Sequence, residues 1–77
     1  MNKQRRKELD EIHGILLEMS ERLQMVADDE QEAFDNLPEG LQQSERGQTM
    51  EETAENLQEW AETLADLVGN LWEFLEQ

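Results

Sequence analysis

Apolar residues return along this chain at alternating intervals of three and four. In the N-terminal half Leu9, Ile12, Leu16, Met19, Leu23, Val26, Ala33 and Leu37 keep that spacing, with Glu30 as the one polar member of the row. In the C-terminal half, Glu55 to Leu75 repeats one seven-residue phrase three times, as ENLQEWA, ETLADLV and GNLWEFL. Leucine fills the third place (Leu57, Leu64, Leu71), a large apolar residue the sixth (Trp60, Leu67, Phe74) and an apolar residue the seventh (Ala61, Val68, Leu75). Such spacing lines one side of an α-helix, and a strict seven-residue return makes that side a seam for another helix. In heptad letters, Leu9, Leu16, Leu23 and Glu30 take a and Ile12, Met19, Val26 and Ala33 take d. In the second half Leu57, Leu64 and Leu71 take a, Trp60, Leu67 and Phe74 take d, and Ala61, Val68 and Leu75 take e.

The stripes predict an all-α antiparallel helical hairpin, coiled-coil-like, in one domain. Its parts are a basic segment 1–7, a helix over 8–36, a corner over 37–43 with room for one helical turn, and a helix over 44–76. Pro38 disfavours helical geometry at Leu37 and cannot donate a backbone hydrogen bond, so the first helix stops before it. Ser44 is the natural cap of the second helix; Thr49, with Glu52 three residues on, forms a competing capping box. A corner this short makes the helices antiparallel. Matching the a/d stripes pairs residues whose numbers sum to about 84: Leu9 with Leu75, Leu16 with Val68, Val26 with Leu57, Ala33 with Met50, and Glu30 opposite Ala54.

One helix cannot cover the a/d/e face of its partner, and a face that wide is met in bundles of three or four helices. Ile15, Leu17, Met25, Phe34 and Trp72 also lie outside the a/d stripes. The expectation is therefore a homodimer forming a four-helix bundle, or a higher oligomer, with Ile15, Leu17, Trp60, Leu67 and Phe74 in the contact. Trp72 is either packed on a neighbouring subunit or offered to another partner.

Composition agrees with an all-helical class: one proline, four glycines, no cysteine and no tyrosine in 77 residues. No apolar run approaches the roughly 20 residues of a membrane span, and the reading is a cytoplasmic protein of a bacterial cell with no membrane contact. Charge is uneven. Lys3, Arg5, Arg6 and Lys7 fall in the first seven residues, which leaves two bases against twenty acids in the rest, a net of −18. Such a body repels nucleic acid, so no direct DNA binding is expected, and it attracts basic protein surfaces. Glu51, Glu52, Glu55, Glu59, Glu62 and Asp66 sit at b, c or f, away from the stripes, and with Trp72 are the candidate partner-binding residues.

Catalytic chemistry has no visible carrier. His13 is the single histidine, no nucleophile motif accompanies it, and no glycine-rich phosphate loop precedes a helix. Glu51 with Glu55 could collect calcium weakly, but a solvated acidic face is the stronger reading. No enzyme and no cofactor is expected. The basic tetrad opposes the dipole of its own helix and falls beside Glu73 and Glu76 in the hairpin; it either matches those acids or, as Lys3, Arg5, Arg6 and Lys7 together, holds an anion.

The run DDEQEAFDNLPEGLQQSERGQTMEETAENLQE, Asp28 to Glu59, resembles a signature EEQEAFDNLPE-x-LQ-x-SERG-x-x-M in small uncharacterised helical-hairpin proteins of phages, prophages and related Firmicutes genomes. The resemblance rests on Phe34, Asn36, Leu37, Pro38, Glu39, Leu41, Ser44, Glu45, Gly47 and Met50. It implies a setting, a short accessory protein carried by mobile elements, and no activity. The chain departs from the family's Asn-Leu-Glu-Glu-Ala tail in carrying Trp60, Trp72 and Phe74. The resulting expectation is a non-enzymatic phage-type accessory or counter-defence protein that binds a host protein through an acidic helical surface imitating a phosphate backbone. The alternatives are a scaffolding oligomer with no further partner, and a protein that sequesters a small phosphorylated nucleotide at its basic end.

Overall fold

A computed structural model describes all residues, Met1–Gln77. Helix α1 spans Lys3–Asp35, a single turn α2 spans Glu39–Gln42, and α3 spans Glu45–Glu76. The first helix thus begins five residues before the expected Glu8 and absorbs the basic tetrad. The reason is Asn2, whose side-chain Oδ1 accepts the Arg5 N–H at 2.8 Å. An N-cap of this kind satisfies one of the donors that a helix start leaves open.

The other end of α1 has no left-handed glycine cap; no residue of the chain has positive φ. Its carbonyls are met instead by Gln42. The Gln42 amide donates to Phe34 O at 3.2 Å and Leu37 O at 3.1 Å, with Asp35 O at 3.4 Å. Ser44 caps α3, its Oγ accepting the Gly47 N–H at 3.1 Å. Thr49 lies inside α3, donating to Glu45 O, so the capping box beginning at Thr49 does not form.

The two long helices lie antiparallel in a rod whose Cα extents are 58 × 15 × 14 Å. Eight residues are buried, and they form two ladders with a seven-residue step: His13, Ser20, Ala27 and Phe34 on α1, and Gly47, Ala54, Ala61 and Val68 on α3. All eight are e positions. Set antiparallel, the ladders match rung for rung with numbers that sum to 81, a register supported at the open end by the bond from Arg6 to Leu75 O.

This corrects the expected seam. Column e lies about 70° round the helix from the middle of the a/d stripe, and both helices are turned by that amount. Val68 is level with His13 instead of Leu16, and Ala54 with Ala27 instead of Glu30. The middle rungs, Ser20 with Ala61 and Ala27 with Ala54, are small, so the backbones can approach closely, whereas leucines or tryptophans at the contact hold axes further apart. At the corner a large residue faces none, Phe34 against Gly47. The a columns then sit at the edge of the contact, where Leu9, Leu16, Leu23, Leu57, Leu64 and Leu71 are half-buried.

Candidate interaction surface

Turning the helices onto column e leaves the a and d columns of both on one side of the rod. Trp60 is 57% exposed and Leu67 53%, and Ile12, Val26 and Phe74 are exposed beside them. Four residues expected in a self-contact are therefore presented on or beside this face: Trp60, Leu67 and Phe74 in its d column, and Ile15, 60% exposed, at its outer edge in column g. Leu17 is not with them. It is a b residue, on the opposite flank, because column b lies on the other side of e from d.

That opposite flank is polar at its middle and apolar near the open end. Gln24 donates to Gln58 Oε1 at 2.9 Å and to Asp28 Oδ1 at 3.0 Å, and Gln58 donates to the same Asp28 oxygen at 3.0 Å. The three side chains close a bridge between the helices. The hydrogen bond from Gln58, then that from Gln24, holds the Asp28 carboxyl below its ordinary value, since both stabilise the charged form. Three to four turns away the Trp72 ring lies on His13, centroids 5.2 Å apart and planes at 33°. Trp72 thus has a partner in its own chain while 47% of it stays exposed. With Leu17, Ala65, Val68 and Gly69 the pair lines a shallow groove of about 400 Å³.

The proposed partner-binding acids Glu51, Glu52, Glu55, Glu59, Glu62 and Asp66 are all exposed. They run along the b, c and f columns of α3, on the side of the rod turned away from the d column. No cluster of three or more histidine, aspartate or glutamate side chains forms a metal-ligand set. No helix is long and apolar enough to cross a membrane.

At the open end the basic residues divide. Arg6 donates from its guanidinium to Leu75 O at 2.7 Å, and its Cζ stands 5.8 Å from the centroid of the Phe74 ring. A cation on a last-turn carbonyl satisfies an orphan acceptor and suits the negative end of the dipole of α3. The arginine is thus fixed by a carbonyl and a ring. Lys3, Arg5 and Lys7 are exposed.

Residues that sequence reasoning overlooked are Asn2, Gln24, Gln42, Gln58 and the role of Gly47. Glutamine carries no pattern signal, but the small-residue step of seven through Gly47, Ala54 and Ala61 was present to be found. Comparison with family models, curated proteins and solved structures gives no match for this chain.

Proposed function

We propose that the chain works by binding and not by catalysis: it pairs with a second copy through the open a/d face into a four-helix bundle, which turns its acids outward. The observation that carries this is the division of side chains by size. The middle of the hairpin's seam buries only alanines and a serine, larger residues enter it only near its ends as Phe34 against Gly47 and Val68 against His13, and no large side chain is fully buried. Trp60, Leu67, Phe74, Ile12 and Val26 keep 38–57% of their surface in water, and covering the remainder is worth about 1 kcal/mol each. A chain of this size needs a staple beyond one small core, and oligomerisation is one of the few on offer without cysteine or metal.

Sedimentation equilibrium and melting at several concentrations test it. The expected result is a mass of twice the 9.0 kDa chain and a melting temperature that rises with concentration. Trp60→Glu with Leu67→Glu abolishes both. A wild-type chain of single mass, melting at the same temperature at every concentration, refutes the reading.

A second reading concerns what the assembly meets, and the exposure of Glu51, Glu52, Glu55, Glu59, Glu62 and Asp66 on the side away from the pairing face favours it. That surface suits a host protein with a basic groove, the place of a phage-type accessory or counter-defence protein. Capture from a bacterial lysate, run with wild type and with Glu51, Glu55, Glu59 and Glu62 all changed to glutamine, checks it. A basic protein held only by the wild type supports the reading; equal retention by both removes it.

A further inference from the structure

We propose that the second copy lies antiparallel across the open face, so that Arg5 of each copy reaches Glu30 of the other. This rests on the self-association reading above and adds the direction of pairing.

The face is not uniform along its length. Its apolar block runs from Leu9 to Val26 on α1, about 27 Å at 1.5 Å per residue, and lies beside Leu57 to Phe74 on α3. Towards the corner polar side chains enter the same columns, Glu30 on α1 and Arg46 and Thr53 on α3, among Ala33 and Met50. Glu30, half-buried in the a column, borders a hollow of about 550 Å³ shared with Glu45, Arg46, Thr49, Met50 and Thr53. At the other end the d column finishes in Arg5, which is exposed. Two helix diameters of roughly 10 Å each give the block a footprint near 500 Å² in projection. With the relief of its side chains this is of the order of the ~800 Å² per partner found in stable interfaces.

Charge decides the direction. Four of the six bases are in the first seven residues, whereas Asp28 to Glu52, around the corner, holds nine acids and one base. A parallel pair sets corner against corner and brings Glu30 beside Glu30 of the second copy, with the two basic ends together. Like charges at short range disfavour that arrangement. Antiparallel pairing that overlays the apolar block on itself faces residues of α1 whose numbers sum to about 35. Leu9 then stands level with Val26 of the second copy, and Arg5 level with its Glu30. Arg46 lies about 7 Å nearer the corner along the axis, which leaves the block side of the hollow to the incoming arginine.

Two measurements on the full chain test this. Spin labels on Gln4→Cys, an exposed position in a chain without other cysteines, are expected about 40 Å apart in the antiparallel pair, and under about 30 Å in a parallel one. Arg5→Glu and Glu30→Arg are each expected to weaken dimerisation about tenfold, since the two-fold repeats the contact, and the double swap is expected to restore most of the loss. A dimer with labels under about 30 Å apart, or with strictly additive losses, overturns the proposal and leaves self-association standing. A chain that stays monomeric overturns both.

Discussion

Replacing Gly47 by alanine should destabilise the protein although it places a better helix former inside a helix. A Cβ at that position would stand 2.5 Å from Gln42 O and 2.7 Å from Gln42 C, with Leu41 O closer still. These are backbone atoms, and they are held. Leu41 and Gln42 donate their N–H groups to Pro38 O at 2.8 and 3.0 Å, and the Ser44 N–H and hydroxyl both donate to Leu41 O. No flexible side chain can yield, so the corner itself must move away from α3. The gain from alanine is at most about 1 kcal/mol, while overpacking of this kind costs about 1–3 kcal/mol or more, and displacement of Leu41 O weakens the Ser44 contacts as well. The net expectation is a loss of about 1–2 kcal/mol, which lowers the melting temperature by on the order of 10 °C in a chain of this length. Gly14 and Gly69 are the controls, since a Cβ at either meets nothing within 4 Å. Alanine there should raise the melting temperature by a few degrees, from roughly 0.5–1 kcal/mol of helix propensity. The assay is thermal melting by far-UV circular dichroism at one fixed protein concentration. A Gly47→Ala variant that melts at or above wild type refutes the argument. So does a fall of similar size in all three variants, which would mean that the corner's close approach is not what the glycine serves.

Two further outcomes follow from the seam and its polar bridge. Ala61→Leu puts a large side chain on a rung that faces Ser20, and is expected to cost about 1–3 kcal/mol, whereas a leucine at the exposed neighbour Glu62 should leave stability within about 0.5 kcal/mol; equal melting of the two variants would contradict a small-residue contact. Asp28 should titrate below its ordinary 3.8, because Gln58 and Gln24 bond its charged form. The folded value being the lower one, its contribution to stability is present above the unfolded value and lost as pH falls through the folded value. Carboxyl-carbon NMR titration should place the Asp28 midpoint higher in Gln58→Ala than in wild type, and coincident midpoints would remove the bridge as the cause.

Much of the outline was legible in the residues. Pro38 ends the first helix, Ser44 starts the last, and the stripes imply two long helices folded back on each other, because local backbone chemistry settles these points without reference to anything distant. The orientation of each helix about its own axis was not legible in the same way. Leucine and tryptophan at a and d dominate any hydrophobicity pattern, so the stripe drew the seam to itself. Alanine, glycine and serine every seventh residue carry little hydrophobic weight, and their effect is steric: they set how near two backbones can come. The same limit hid Asn2, Gln42 and Gln58, polar residues whose roles depend on which carbonyl or carboxylate the fold brings within reach. On the surface, the acids at b, c and f are exposed, while the flank on which Leu17 falls depends on which column is central.

The choice of seam and the question of association are one physical problem. Column e lies between a and b, so a contact centred on e holds each a residue at the edge of the hairpin, half in and half out. A contact centred on the a/d stripe would instead cover the large residues within one chain and expose the alanines, and a lone hairpin would gain by that rotation. Small residues at e make sense when the large ones are to be covered from outside: a then becomes the shared centre of a bundle, e the contact with the sibling helix, and d the contact with the second copy. On this view enlarging the e column acts on two levels at once. Ala61→Leu widens the seam, and it also shifts the helices towards the a/d arrangement that a single chain can satisfy alone. The variant should therefore lose self-association out of proportion to its loss of helix, whereas a purely local packing defect would weaken both together.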